Sequence, residues 1–243
     1  MNKIDMHGHL GHWAFAIPGG GTAESLVHLC ERYDIERLAA SSTQALTYDM
    51  RAGNADMAQA ARDHEQLLMY VYVNANWPGE SCAEMDRYLG EEFAVGVKIH
   101  CGYSGVASSD PCMYDLMAEI ARRTSLVKVH PGAAEDLSRW ARAWPDLNII
   151  IAHAFASSYR QAVALAAAHP NIYLDFCSSH AGSGKVRDTL DRIGPGQVVF
   201  GSDMDLIDPA FVMGMFEEAD LSEEERQAVY YDNGARLLGL GEG

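Results

Sequence analysis

Short apolar runs return along the whole chain at a nearly constant interval. Eight of them can be counted, and they read KIDMH, IERLAASS, LLMYVYVNA, VGVKIH, LVKVHP, NIIIAH, NIYLDF and QVVFGSD. Successive runs start 22 to 32 residues apart, which leaves room for one helix and two short loops between them. Because most of the runs are continuously apolar, they are typical of parallel strands buried on both faces. The pattern predicts repeated βα units.

The intervals between the runs carry helical patterns. A helix is predicted over residues 22–33, behind a capping Thr22. Further helices are predicted over 133–145 and 157–170, each ending at a proline, which cannot continue a helix. The segment 222–240 begins with a capping serine and an acidic first turn. Alternating strands and helices indicate the α/β class.

Eight βα units favour a closed (β/α)8 TIM barrel, regular or slightly distorted. The alternative is an open doubly wound sheet, which usually carries a phosphate-binding glycine turn after the first strand. The sequence HGHLGHW at residues 7–13 is not such a turn. The 243 residues contain no linker or low-complexity segment, and barrels of this length commonly form one unit. We therefore predict a single domain over residues 1–243.

The charge balance argues against two classes of partner. The chain has 34 acidic and 18 basic residues, a formal net charge of -16, which repels phosphate backbones and anionic lipid surfaces. No apolar run approaches the roughly 20 residues of a membrane span, and the N-terminus does not resemble a secretory signal. The five cysteines form no CxxC pair, which favours reduced thiols. We expect a cytoplasmic protein that binds neither nucleic acid nor membranes.

Polar residues of one kind collect at the ends of the predicted strands. They are His7, His9, Lys98, His100, His130, His153 and Asp203. Five of the ten histidines thus occupy the end of a barrel where catalytic groups project. A single strand-end histidine is more often a hydrogen-bonded core residue than a ligand. Five of them with a terminal aspartate make a metal site the better interpretation.

The chemistry gives a reason for this set. Imidazole nitrogens with one carboxylate suit Zn²⁺, and an open coordination position suits catalysis. Zinc lowers the pKa of a bound water to about 7, so that hydroxide is available at neutral pH. A carboxylate beside that water can accept its proton and pass it to a leaving group.

The order of the motifs resembles a known family. IDMHGHLG, GVKIH, VHPG, IIAH, VVFGSDM and DNGARLLGL are similar, from residue 4 to residue 240, to the amidohydrolase superfamily and specifically its amidohydrolase-2 group. That group includes lactone hydrolases and decarboxylases. The resemblance implies a barrel with one or two divalent metals. It also implies ligand roles for His7, His9, His130 and Asp203.

The resemblance further implies catalytic roles for two residues. Asp203 would be the general base as well as a ligand. His153 would orient or protonate the substrate in a mononuclear site, or bind the second metal in a binuclear one. Lys98 distinguishes these cases, because a carbamylated lysine bridges two metals in binuclear relatives. We favour one Zn²⁺, and leave open a second divalent metal with carbamylated Lys98.

Other residues are candidates for contact with a substrate. Lys98 and His100 follow from the KxH pattern of the fourth strand, and Trp13, Tyr103 and His180 lie on the loops after strands 1, 4 and 7. For each of the three loop residues, ordinary loop packing is an equal alternative. Homodimers are common among such proteins, and the sequence leaves that point open.

Three functions follow from the predicted site. The first is a zinc-dependent hydrolase of an amide, lactone or ester of a small molecule. The second is a non-oxidative, metal-dependent decarboxylase of a small carboxylic acid. The third is a metal-binding barrel without catalytic activity, which the complete set of strand-end ligands and a general base argues against.

Overall fold

Seven parallel strands form one curled sheet in the order of the chain. The computed structural model describes residues 1–177 and 182–240. The strands are β1 (Lys3–Leu10), β2 (Ile35–Ser42), β3 (Leu67–Tyr72), β4 (Ala94–His100), β5 (Leu126–His130), β6 (Asn148–Ile151) and β7 (Ile172–Leu174). Each strand pairs in parallel with the next, as the apolar runs predict.

Helices fill the intervals between the strands. They are α1 (Ala23–Arg32), α2 (Thr43–Thr47), α3 (Met50–Asp63), α4 (Pro78–Tyr88), α5 (Cys101–Ser104), α6 (Pro111–Ala121), α7 (Ala134–Ala143), α8 (Tyr159–Ala168), α9 (Lys185–Ile193), α10 (Pro209–Glu217), α11 (Glu223–Gln227) and α12 (Asn233–Leu238). A 3-10 turn at Pro195–Gln197 follows α9, and a π-helical turn at Ala228–Asp232 joins α11 to α12. None of the described helices combines the length and hydrophobicity needed to cross a bilayer.

The predicted helix starts are present. Thr22 caps α1 in a capping box with Ser25, and Ser222 caps α11 in the same way with Glu225. The Asn233–Gly234 step forms the start of α12 and does not interrupt the helix. Instead Asn233 is buried and donates to the carbonyl oxygens of Pro195 and Val198, both at 2.8 Å. The C-terminal helix therefore anchors the backbone that leads into residues 198–204.

The inside of the curled sheet is layered. Its lower part is an apolar cluster that includes Ile4, Met6, Tyr70, Leu126, Ile150 and Tyr173. Above it lie polar side chains near the carboxyl ends of the strands. The larger cluster, with Val97, Val127 and Ile149, packs the other face of the sheet against the helices. Burial on both faces is what keeps the strands continuously apolar.

Residues 198–204 occupy the space between β7 and β1. Val198 bridges to Leu174 and Met204 bridges to Gly8, both in parallel. The N–H of Met6 donates to the carbonyl of Phe200 at 2.9 Å. The predicted eighth run therefore lies where an eighth strand belongs, but in isolated bridges rather than a regular strand.

The buried side chain of Asp5 ties this segment to β1. Its Oδ1 accepts the backbone N–H groups of His7 at 2.9 Å and of Ser202 at 3.0 Å. Complete burial raises the pKa of Asp5 to about 7, although these hydrogen bonds act to lower it. The backbone turns out of the extended conformation at Asp203, whose φ is 64°. This turn is a local reason why no regular strand forms there.

Candidate functional site

The ring of His7 is oriented by a buried ion pair. Its Nδ1 lies 3.1 Å from Oδ2 of Asp175, and the same carboxylate pairs with Lys128. Asp175 and Lys128 are both 0% exposed. Because an ionised carboxylate only accepts hydrogen bonds, Nδ1 carries the proton and Nε2 keeps its lone pair. This is the arrangement that prepares a histidine to bind a metal.

The charges around His7 favour that protonation state. Burial lowers the pKa of His7 well below its usual value, and the Lys128 and Lys98 ammonium groups lower it further. Burial alone would raise the pKa of Asp175, but the Lys128 ammonium and His7 outweigh it and hold that pKa well below its usual value. The result is a neutral imidazole beside an ionised carboxylate, which is what metal binding requires.

His9 is held in a similar way by a hydroxyl group. Its Nδ1 lies 3.3 Å from Oγ of Ser41 on β2, and its Nε2 lies 3.2 Å from Oδ1 of Asp203. Burial lowers the pKa of His9, although the nearby charge of Asp203 acts to raise it. When Nδ1–H donates to Ser41, the lone pair of Nε2 points towards the carboxylate that His7 also faces.

The atom that these two histidines share is Oδ1 of Asp203. It is buried, it accepts no hydrogen bond, and it lies 3.5 Å from Nε2 of His7 and 3.2 Å from Nε2 of His9. Metal–ligand bonds of about 2.0–2.1 Å in a tetrahedron put neighbouring ligand atoms about 3.4 Å apart. Three lone pairs converging at this spacing fit a divalent cation.

Asp203 is ionised in this setting. Burial acts to raise its pKa, but the adjacent imidazole of His9 and the ammonium of Lys98 hold that pKa below its usual value. The ligand atoms of His7, His9 and Asp203 all lie within 4.8 Å of one another. The structure thus brings together three of the four predicted metal ligands.

The fourth predicted ligand, His130, lies on the wall of the same pocket. Its ring stacks on that of His100 with 3.7 Å between the centroids, and it lies 5.0 Å from the ring of His153. Within the described residues it does not belong to the group of converging ligand atoms. Its role as a ligand stays a prediction.

Burial keeps the stacked pair neutral. It lowers the pKa of His130 to about 3 and that of His100 to about 2, with neighbouring positive charges contributing. His100 also accepts a hydrogen bond at Nδ1 from the backbone N–H of Tyr103, at 3.0 Å. Both rings face the pocket as uncharged groups.

Lys98 lies at the floor of the pocket. Its Nζ is 3.2 Å from Nε2 of His7, and the side chain is 1% exposed. Burial lowers the pKa of Lys98 to about 8, and Lys128 contributes. At neutral pH most of it still carries a positive charge, and it is the only lysine or arginine among the described residues that line this pocket.

His153 enters the site on a left-handed turn. Four successive residues, His153 to Ala156, have φ values of 62°, 44°, 59° and 51°. This conformation costs roughly 1–2 kcal/mol per residue for side chains with a Cβ. Asp175 compensates by accepting the N–H of His153 at 2.8 Å, while Nδ1 of His153 contacts the carbonyl of Cys177.

Aromatic side chains form the mouth of the histidine pocket. Trp13 lies 5.1 Å from His9, 6.3 Å from a parallel Phe15 and 6.2 Å from Tyr103 between ring centroids. Nε1 of Trp13 is buried and has no hydrogen-bond acceptor. These rings and the histidines enclose about 160 Å³. The predicted contact residue His180 lies outside the described residues.

A larger groove of about 780 Å³ continues from this pocket. Its walls are the segment from His130 into α7, the left-handed turn with the start of α8, and residues 206–207. The groove and the pocket share His130, His153, Asp203 and Leu206.

Sequence reasoning missed three buried residues behind the site, Lys128, Asp175 and Cys177. The signals for two were present, since Lys128 alternates with His130 in LVKVHP and Asp175 ends the run NIYLDF. Sγ of Cys177 lies 2.9 Å from Nδ1 of His7 and 2.8 Å from Oδ1 of Asp175. Burial raises the pKa of Cys177 well above its usual value, and Lys128 already neutralises Asp175. His7, Lys128, Asp175 and Cys177 therefore form a hydrogen-bond network rather than a second cation site.

Solved structures share this fold. An uncharacterised TIM-barrel protein from Bordetella bronchiseptica has a TM-score of 0.79 at 16% identity, covering 98% of this chain and 99% of its own. A dihydroxybenzoic acid decarboxylase from Polaromonas sp., solved with bound manganese and 2-nitroresorcinol, has a TM-score of 0.77 at 14% identity, with 100% and 98% covered. A probable 2-pyrone-4,6-dicarboxylic acid hydrolase from Acinetobacter baumannii with bound citric acid has a TM-score of 0.69 at 14% identity, with 99% and 100% covered.

Sequence comparison gives the family. No curated protein matches the chain. The amidohydrolase family model matches residues 4–240, the same span over which the motifs are distributed. The resemblance seen in the sequence is thereby confirmed, and the chain belongs to the amidohydrolase family.

Proposed function

We propose that this protein is a metal-dependent hydrolase that cleaves an amide, lactone or ester bond of a small molecule. The observation that carries the proposal is the buried Oδ1 of Asp203, which accepts no hydrogen bond and faces Nε2 of both His7 and His9. Such a carboxylate is stabilised by a cation, and it borders an open pocket.

Zn²⁺ is the ion we propose, held by His7, His9 and Asp203, with His130 as the further ligand from the pocket wall. Nitrogen and carboxylate donors suit zinc, and one ion is the expected number. Manganese in the Polaromonas neighbour makes Mn²⁺ the other candidate. When bound, the ion would polarise a carbonyl group and lower the pKa of water.

The side chains then have separate tasks. Asp203, ionised in the folded protein, accepts the proton of the attacking water and returns it to the leaving group. His153 holds the substrate from the opposite wall and can protonate it. The ammonium of Lys98 stabilises negative charge on oxygen, and the aromatic side chains exclude water.

The architecture that supports this chemistry is a single (β/α)8 barrel over residues 1–243. Residues 198–204 would take the place of the eighth strand, which the bridges to β7 and β1 support. All five cysteines are free thiols, which supports a reducing compartment such as the cytoplasm.

A decarboxylase is the second candidate, and one observation favours it. Lys98 puts a buried positive charge into the histidine pocket, where it could hold the carboxylate of an aromatic acid. The Polaromonas neighbour is a decarboxylase of such an acid. In this reaction CO₂ leaves and a proton is delivered to carbon, so no water is consumed.

Isotopic labelling separates the two reactions. The protein loaded with Zn²⁺ or Mn²⁺ is incubated with aryl esters, lactones, amides and aromatic acids in H₂¹⁸O and, separately, in D₂O. Hydrolysis puts ¹⁸O into the product acid and releases no CO₂. Release of CO₂ with deuterium on the product carbon would overturn the hydrolase in favour of the decarboxylase. Absence of turnover with bound metal would contradict both.

A further inference from the structure

We propose that the groove beside the histidine pocket binds the leaving group of the substrate, and that this group is neutral or cationic rather than acidic. The inference rests on the proposed hydrolase. It specifies the substrate as an aromatic acyl group joined through an ester or amide bond to an uncharged or cationic alcohol or amine.

The two cavities have a common wall. The pocket of about 160 Å³ and the groove of about 780 Å³ share His130, His153, Asp203 and Leu206. A substrate that spans both cavities therefore has its central bond next to Asp203. The group on each side of that bond has a cavity of its own.

The sizes of the cavities assign the two halves. A cavity of about 150 Å³ can hold a benzene ring, so the pocket fits one ring and little more. The aromatic side chains at its mouth, Trp13 and Phe15, suit a planar group. The groove lies within the roughly 300–1,000 Å³ of ordinary ligand sites. A substrate that only lost CO₂ would leave the groove empty.

The charges decide what the groove accepts. Apart from Asp203, its one charged residue among the described lining residues is Glu135, and no lysine or arginine lines it there. Lys98 lines the pocket but not the groove. Ser158 and Gln161 add hydrogen-bonding groups. Among the described lining residues, a carboxylate or phosphate in this groove would meet an acid and no lysine or arginine.

The groove is held open by its own backbone. The left-handed turn that forms one wall is fixed at His153 by Asp175, and Nζ of Lys185 donates to the carbonyl of Ala156 at 3.1 Å. Ser158 precedes α8 without making a side-chain capping bond, and it lines the groove. A preformed cavity costs little ordering on binding.

The reaction balances with water alone. The oxygen of water forms a bond to the acyl carbon, and the bond from that carbon to the leaving oxygen or nitrogen breaks. The proton removed by Asp203 passes to the leaving atom. The products are an aromatic acid in the pocket and a free alcohol or amine in the groove.

Matched esters test the assignment. Benzoate and 2-hydroxybenzoate are joined to methanol, ethylene glycol, choline or glycolate, so that only the leaving group changes. We expect kcat/KM to be at least about tenfold higher for the choline and glycol esters than for the glycolate ester. Glu135→Lys should reverse the order of the choline and glycolate esters when the kcat/KM of each is expressed relative to that of the methyl ester. Glu92→Lys, an exposed acid with the same charge change, is the control.

A second experiment fills the groove with a larger side chain. Ser158→Trp should raise the ratio of KM for the glycol and choline esters to KM for the methyl ester about tenfold, whereas Ser157→Trp, outside the groove, should leave this ratio unchanged. Choline alone, titrated by NMR, should bind wild type more tightly than Glu135→Lys. If the wild type hydrolyses the methyl esters but neither Glu135→Lys nor Ser158→Trp changes the preference among leaving groups, the groove assignment is wrong and the proposed hydrolase is unaffected. If it hydrolyses no ester, amide or lactone, the proposed function itself fails.

Discussion

Two pairs of histidines stand at the strand ends, and the structure uses them differently. His7 and His9 both point Nε2 at Asp203, and each has a partner at Nδ1. His100 and His130 instead stack ring on ring 3.7 Å apart, and within the part of the chain that the structure describes no carboxylate is hydrogen-bonded to either ring. The first pair is arranged to bind a cation together with Asp203, whereas the second pair forms an uncharged part of the pocket wall.

The difference lies in what surrounds the rings. Nδ1 of His7 meets a carboxylate from the end of β7, 168 residues away, whose charge Lys128 on β5 balances. Nδ1 of His100 meets only the backbone N–H of Tyr103, three residues away. We therefore expect a strand-end histidine to bind a metal where a residue of another strand fixes its tautomer.

Removing the carboxylate that His7 and His9 share should have the largest effect. We expect Asp203→Asn to abolish detectable turnover, which means that kcat falls at least about a thousandfold. The amide can neither carry the negative charge nor accept the proton of the water. The fold should be preserved, as far-UV circular dichroism can check. Asp208→Asn, the same change at the exposed cap of α10, is the control. Retained activity in Asp203→Asn would remove that residue from its role.

The ion pair behind His7 should be the next most sensitive element. Asp175→Asn leaves the fully buried Lys128 without its counter-charge, and we expect the free energy of unfolding to fall by about 3–5 kcal/mol. Urea unfolding measures this loss. The double variant Lys128→Met with Asp175→Asn should recover part of it. A double variant no more stable than the single would show that the pair is not the cause.

Removing the hydroxyl group of Ser41 should have a smaller effect than removing the carboxylate of Asp203 or Asp175. Ser41→Ala removes the partner of Nδ1 in His9, and we expect metal affinity to fall about tenfold. Ser42→Ala is a matched control, because it removes only the cap of α2, costing about 1 kcal/mol of stability. Metal titration followed by calorimetry compares the two. Equal affinities would mean that Ser41 does not orient the ring.

His100, the member of the second pair that is not a proposed ligand, should be the least sensitive to substitution. His100→Gln removes one of the stacked rings but no atom of the converging ligand group. We expect metal affinity to stay within about threefold of wild type. A loss as large as that in a His9→Gln variant would abolish the distinction between the pairs.

Periodicity explains why much of this was predictable. The apolar runs recur at βα spacing, and seven of the eight became paired strands because burial on both faces requires such runs. The strand-end position of His7, His9 and Asp203 follows from the same pattern. Their convergence follows because parallel strands end at one edge of a sheet.

Other features depend on contacts that no local pattern records. The run at 197 is not a regular strand, since the chain turns at Asp203 with a positive φ. The left-handed turn from His153 to Ala156 forms one wall of the groove, but it contains no glycine that would indicate it in the sequence. Asp175 directly follows β7, and nothing in the local sequence indicates that its partners, His7 and Lys128, come from two other strands.

We expect one divalent ion to lie between His7, His9 and Asp203. Elemental analysis of protein purified without chelator, combined with anomalous diffraction at the metal edge, tests it directly. We predict about one metal per chain, with one anomalous peak within about 2.3 Å of Nε2 of both histidines and of an oxygen of Asp203. Two peaks with additional density on Lys98 would indicate the carbamylated binuclear site. A natively folded protein that retains no metal and binds none when zinc or manganese is added would contradict the claim.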